Sequence, residues 1–249
     1  MAVIWSKSIA DDHYEVRTAG HSIRLYKNRV FHSQWNPKRP LASGVWDLLF
    51  LPALFLPTEQ VQRVLLLGVG GGAVINQYLQ LLTPQKIVGV ELDAQHLQLA
   101  RRFFGLQHPC VELHCADAIS WLRDYRGPPF DIIIEDLFTE RDGEPERVVD
   151  SSAHWYHALR DHLTAHGVLI INFEDPVQMR GSGADYRAAI GDLEDIRYQF
   201  TQPTYGNSVC AFLQQPATPA FLRGQLEALL QAFPASREAA QRFRVRRVR

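Results

Sequence analysis

A buried strand that runs straight into a cluster of glycines constrains this chain more than any other feature. In Val64-Leu65-Leu66-Leu67-Gly68-Val69-Gly70-Gly71-Gly72-Ala73, four aliphatic residues precede four glycines within five positions, and an amphipathic stretch follows. An unbroken aliphatic run is a strand covered on both faces, as in a parallel sheet between layers of helices. Glycines let the chain turn sharply and let a ligand approach the backbone at the start of the next helix. The run therefore predicts an α/β layer with a nucleoside-type ligand at this loop, and by itself it does not name the ligand.

The rest of the chain fits that layer. Strands are expected at 61–67, 87–91, 111–115, 130–135, 168–173, 196–201 and 208–213, with helices at 73–82, 94–104, 118–125 and 152–163. Alternation of this kind describes a doubly wound, mostly parallel, seven-stranded Rossmann-like sheet. The segment Gln202-Pro203-Thr204-Tyr205-Gly206-Asn207 is short enough to join the last two strands as an antiparallel hairpin. Ahead of the sheet, 22–26 and 30–34 read as a small N-terminal β extension, and 45–55 as a buried helix. The expected division is 1–57 for that extension with its linking helix, 58–235 for the nucleoside-binding catalytic domain, and 236–249 for a flexible basic tail.

Composition removes several classes. Of 249 residues 46% are hydrophobic and 21% charged, which is globular material, and a net charge of −1 gives no general electrostatic case for nucleic acid. The last eight residues carry five arginines, leaving the body at 21 bases against 27 acids. The longest apolar run, 45–56, is interrupted by Asp47 and Pro52 and is too short to span a bilayer; no secretory leader is recognised, so a cytoplasmic protein is expected. Cys110, Cys115 and Cys210 form no metal-type pair and are read as reduced thiols. His154 and His157 lack a third ligand, so no metal is expected.

Acids recur where strands end. Glu91 stands nineteen residues after Gly72, ahead of Leu92, and can accept hydrogen bonds from both ribose hydroxyls, a geometry that serves NAD and S-adenosyl-L-methionine (AdoMet) equally. Asp117-Ala118 follows the third strand, where the acid either accepts an adenine amine or caps the next helix. Glu135-Asp136 ends the fourth. Acids at three successive strand tips, with an antiparallel hairpin closing the sheet, describe a mononucleoside site better than one that must also hold nicotinamide.

Together, the 64–73 run, Val90-Glu91-Leu92-Asp93, Ala100-Arg101-Arg102-Phe103-Phe104, Asp117-Ala118 and Phe130-Asp131-Ile132-Ile133-Ile134-Glu135-Asp136 resemble spermidine synthases within the class I AdoMet-dependent methyltransferase fold, over about residues 25–173. The resemblance implies a donor held by Gly68, Gly70, Gly71, Gly72, Glu91, Leu92, Asp117 and Ala118, with Asp136 as the catalytic aspartate that takes protons from the attacking amine. It also implies a homodimer. The departures are specific. Gly71 stands where the family's loop aspartate meets the aminopropyl amine of decarboxylated S-adenosylmethionine, Thr139 replaces the second acid of the Asp-Ser-Ser-Asp-Pro motif, Val45-Trp46-Asp47 keeps only the acid of Tyr-His-Glu, and Gln77 replaces a helix glutamate. Asp47, Trp46, Thr139 and Glu140 are the candidate acceptor contacts, and the acid-rich 140–146 loop is either a lid or a solvated turn.

Loss of the loop acid removes repulsion against an AdoMet carboxylate. On that ground the sequence reading favours AdoMet-dependent methyl transfer to a small amine-bearing acceptor. Polyamine aminopropyl transfer from decarboxylated AdoMet is the first alternative, a non-catalytic nucleoside-binding protein the second, and an NAD-dependent oxidoreductase the third.

Overall fold

The computed structural model describes residues 1–141 and 144–248. The chain opens with an antiparallel meander of four strands, β1 (Ala2–Ile9), β2 (Asp12–Ala19), β3 (Ser22–Lys27) and β4 (Val30–Trp35), which pair in sequence order. Alternation buries one face: Tyr14, Val16, Leu25 and Trp35 pack against Leu99 and Phe104. The meander is thereby fixed beside the end of a helix of the main domain.

The main sheet is built from β5 (Arg63–Leu67), β6 (Lys86–Glu91), β7 (Val111–Cys115) and β8 (Phe130–Glu135), followed by a separate hairpin, β9 (Phe138–Arg141) and β10 (Glu144–Arg147). It continues with β11 (Leu163–Phe173), β12 (Arg197–Thr201), β13 (Ser208–Leu213) and β14 (Arg244–Val248). Its spatial order is β14-β12-β13-β11-β8-β5-β6-β7, with β11 through β7 parallel and the other pairings antiparallel. Because β5 lies between β6 and β8, successive crossovers leave it in opposite directions, and a crevice opens at the carboxyl ends of these strands. The period of two is visible in β5, where Val64 and Leu66 enter one apolar layer and Leu65 and Leu67 the other.

Helices α1 (Val45–Phe50), α2 (Ala73–Leu81), α3 (Ala94–Phe103), α4 (Ala118–Asp124) and α5 (Ala153–Arg160) cover the sheet. Asp93, Asp117 and Ser152 cap the last three by accepting backbone N–H groups. The expected helix at 45–55 divides into α1 and a 3-10 turn, Leu51–Phe55, with Pro52 near the start of the turn, where its missing N–H costs no helical bond.

The seven expected strands are present and an eighth joins them from the basic end. Residues 244–248 are not a flexible tail: β14 pairs along β12 from Thr201↔Arg244 to Arg197↔Val248. Phe243 is buried and its ring stacks on Phe200 at 6.1 Å, so one aromatic anchor and a backbone ladder hold a segment whose arginines face outward. Among the described residues no helix is long and apolar enough to cross a membrane.

Candidate active site

The carboxyl ends of β5, β6 and β8 meet the N-terminal meander around a cleft of about 1050 Å³. Gly68, Gly70 and Gly72 all adopt positive φ, at +89°, +53° and +79°. A Cβ at Gly68 would overlap the Asp136 carbonyl, so glycine here is what lets the tips of β5 and β8 touch. Backbone bonds tie the end of β5 to both neighbours: Gly68 N donates to Val90 O of β6 (2.9 Å), and Asp136 N, just past β8, donates to Leu67 O (2.8 Å). Gly68 and Gly70 line the cleft, whereas Gly71 and Gly72, later in the same loop, are buried and do not. A Cβ on Gly71 would stand 2.8 Å from Ser33 Cβ and 2.9 Å from Phe104 Cζ, so this position is packed against the meander.

Glu91 braces the loop. Val69 N (3.0 Å) and Gly70 N (2.8 Å) donate to its Oε2, and Asp93 N donates to Oε1 (2.9 Å). Burial works against its charge, but His96 and the amides of Asp93 and Gly70 outweigh it and hold the carboxyl below its ordinary range. Leu92, largely exposed, and Ala118 line the cleft beside it. Asp117 is both cap and lining: its Oδ1 accepts Ser120 N at 2.8 Å at the start of α4, and this bond lowers its pKa.

Asp136 sits between the loop and β11. Asn172 Nδ2 donates to its Oδ1 (2.8 Å), and Asn207 Nδ2 donates in turn to Asn172 Oδ1 (3.2 Å). Burial pushes the carboxyl up to about 6 against the Asn172 hydrogen bond, with the charges of Glu135 and Glu91 adding to the rise. A carboxyl titrating there can accept and release a proton near neutrality. Its neighbour Glu135 is fully buried and ion-paired with Arg147, which also donates to Val149 O and to Ser151 Oγ (2.9 Å). That pair anchors the base of the β9–β10 hairpin, on which Thr139 and Glu140 reach the cleft; Asn28 Nδ2 donates to Glu140 Oε2 at 2.9 Å. Asp142 and Gly143 of the acid-rich loop lie outside the described residues.

Trp46 lines the cleft, edge-on to Phe31 with ring centroids 5.2 Å apart. Asp47 does not. It is buried at the start of α1, where Ala42 N (3.0 Å) and Ser43 N (2.8 Å) donate to Oδ2 and Gln77 Nε2 donates to Oδ1 (2.8 Å). Desolvation raises its pKa to about 7 in spite of those bonds. Gln77, read as a lost glutamate, is thus the partner of this cap.

The meander adds residues that the sequence reading missed. Lys27 Nζ pairs with Asp12 (2.8 Å) and Asp93 (3.1 Å), and Tyr14 OH donates to Asp93 Oδ2 (2.7 Å). His32 stands against His96, ring centroids 4.9 Å apart, and burial holds it down to about 4, so it is neutral. These side chains come from elements far apart in sequence, and no local spacing marks them. Six described carboxylates line the cleft (Asp12, Glu91, Asp93, Asp117, Asp136, Glu140) against one lysine. Among the described residues no cluster of three or more His, Cys, Asp or Glu could hold a metal; His154 and His157 are exposed on α5.

Comparison with known proteins places the chain in context. Residues 48–220 match the family described as the spermine/spermidine synthase domain. Polyamine aminopropyltransferase 2 of Caldanaerobacter subterraneus subsp. tengcongensis is 32% identical over 47% of this chain and 41% of its own length. The polyamine aminopropyltransferase of Vibrio vulnificus is 26% identical over 72% of this chain and 59% of its own. The chain spans about half the length of the curated relatives it matches. The crystal structure of spermidine synthase from Thermotoga maritima superposes with a TM-score of 0.60 at 20% identity, covering 87% of this chain and 73% of that one, which shows a shared fold.

Proposed function

Since the chain belongs to the spermine/spermidine synthase family, we propose that it transfers the aminopropyl group of decarboxylated AdoMet to a small amine. The observation that carries this reading is Asp136: a recessed carboxyl with its pKa near 6, oriented by Asn172, at the point where the glycine loop and β8 converge. The acidity of the cleft supports a cationic donor and an amine acceptor, because six carboxylates face one lysine there. The curated relatives are named aminopropyltransferases, which moves the reading from methyl transfer to aminopropyl transfer. An NAD oxidoreductase has no support from these relatives.

In the proposed reaction Glu91, held by the amides of Val69 and Gly70, accepts from the ribose and Asp117 from the adenine amine, while Gly68 and Gly70 let the donor lie close against the loop. The acceptor nitrogen attacks the aminopropyl carbon bound to the sulfonium. The new C–N bond forms as the C–S bond breaks, its electrons neutralise sulfur, and methylthioadenosine leaves. The nitrogen must arrive with its lone pair free, and Asp136 takes the proton that allows this; alignment and proton acceptance are the main demands, because a sulfonium leaves readily. One observation favours a second reading, methyl transfer from AdoMet: position 71 carries no acid, and the space at its Cβ is filled by Ser33 and Phe104. The deciding experiment incubates the protein with a mixture of amines and either donor. Methylthioadenosine from decarboxylated AdoMet, lost in Asp136→Asn, is the expected result. S-adenosylhomocysteine from AdoMet, with no methylthioadenosine from the other donor, would replace the first reading with the second.

A further inference from the structure

Asp136 is held by a chain of two carboxamides, and the chain has a direction. Asn172 Nδ2 donates to Asp136 Oδ1 (2.8 Å), and Asn207 Nδ2 donates to Asn172 Oδ1 (3.2 Å). An ionised carboxylate only accepts, so it demands the N–H end of Asn172, and the oxygen of Asn172 is then turned outward and demands a donor of its own. Asn172 is buried, so an unpartnered oxygen there would carry the full cost of an orphaned acceptor. The last torsion of an asparagine side chain is broad and nearly two-fold, so the rotamer alone does not choose which end faces Asp136. Asn207 makes that choice.

The sheet sets the position of Asn207. β13 runs antiparallel to β11 with Val209 opposite Asn172 and Ser208 opposite Phe173, which brings the residue just ahead of β13 to the open end of β11. The loop that carries it is closed by a turn, Tyr205 N to Gln202 O (3.3 Å). Gln202 Nε2 donates to Ser43 O (2.8 Å) and moors the loop to the segment ahead of α1. Asn207 is half-buried and lines the cleft together with Asn172 and Asp136.

The surroundings of Asp136 make the direction matter. Burial works against its charge, as do Glu135 on β8, itself paired with Arg147, and Glu91 at the end of β6; the Asn172 bond opposes all three. Tyr205, on the loop of Asn207, is lifted by burial and by the charge of Asp47, against that of Arg24. If Asn172 turned its oxygen to Asp136, the carboxyl would have to keep a proton to meet it. That reversed chain serves the neutral acid with hydrogen bonds about half as strong as the charge-assisted one it replaces, so the observed direction favours the ionised form.

We infer that Asn207 is a positioning residue: by donating to Asn172 it holds the N–H end of that carboxamide on Asp136 and keeps the carboxyl free to take the acceptor's proton. Its action passes through Asn172. The consequence for turnover rests on the transferase reading above, whereas the effect on Asp136 itself does not.

The test uses the full chain. Asn207→Leu keeps the shape of the side chain and removes the donor, and Asn207→Ala removes both. The Asp136 carboxyl is followed by carbon-13 NMR against pH, its signal assigned by its absence in Asp136→Asn. In both Asn207 variants its midpoint should rise by about one pH unit, the worth of a hydrogen bond to a charged group. In an Asn172→Ala background, adding Asn207→Leu should move it no further. In turnover, the ratio of variant to native kcat, in which the acceptor's own ionisation cancels, should fall about tenfold on the acid side of the midpoint and return toward one on the alkaline side. A midpoint unmoved in both variants, a further movement in the Asn172→Ala background, or a loss of rate equal at every pH overturns the inference. A native protein that turns over no amine with either donor overturns the transferase reading, and the NMR midpoints then decide the role of Asn207 by themselves.

Discussion

Replacing Asp136 by asparagine should abolish turnover and at the same time make the protein more stable. The carboxyl titrates at about 6 in the folded chain against 3.8 ordinarily, because burial and the neighbouring charges of Glu135 and Glu91 outweigh the Asn172 bond. Between those two values the native state binds more protons than the unfolded one, so stability falls as pH rises through that window. Above it the ionised carboxylate costs the native state about 3 kcal/mol, from roughly 1.36 kcal/mol per pH unit. Asparagine keeps the oxygen that accepts from Asn172 and removes the charge, so the variant should regain most of that amount. Urea unfolding of both proteins, at a pH below 3.8 and at one well above 6, reads it directly. The midpoints should coincide at the low pH and separate at the high one, with the variant higher. A variant that is less stable at high pH, or a difference that ignores pH, would refute the argument that Asp136 is strained by its setting.

Three further outcomes follow from the geometry. Arg147→Met should cost about 3–5 kcal/mol in urea unfolding, since it strands the buried Glu135 charge, and adding Glu135→Leu should recover much of the loss; a double variant no better than the single one excludes the ion pair as the cause. Glu91→Gln should weaken donor binding about 10- to 100-fold by calorimetry, the range expected for hydrogen bonds to a charged group, and unchanged affinity would remove Glu91 from the ribose site. Phe243→Ala should destabilise the protein by about 3–5 kcal/mol and raise amide exchange along β12, because the ring anchors β14 to Phe200; exchange confined to residues 244–248 would show that β12 does not depend on it.

Elements whose determinants are local were legible in the sequence. Val64–Leu67 reads as a doubly covered strand because nothing polar interrupts it, and Asp93 and Asp117 stand where helix caps belong. Glu91 and Asp136 were found because strand ends of such a sheet open on the cleft. Long-range determinants were not legible. β14 has charged residues at three of its five positions and exists through its ladder with β12 and the burial of Phe243. β9 and β10 depend on Arg147 reaching back twelve residues to Glu135. Lys27 and His32 reach the cleft only because the meander docks on α3, where His32 meets His96. Asp47 is a different case: it stands three residues after Gly44 at the start of α1, within reach of the amides of Ala42 and Ser43, so its determinants are local and point to a structural carboxylate, not an acceptor contact.

The Glu135–Arg147 pair has a consequence for how this sequence can vary over descent. A glutamate inside a central strand is tolerated only while its guanidinium partner is present, and that guanidinium, itself buried, is tolerated only with the glutamate. Neither position can drift alone, so the two must be gained or lost in close succession. Relatives should therefore divide into those with both charges and those with apolar residues at both places, and the division would mark a branch point in the lineage.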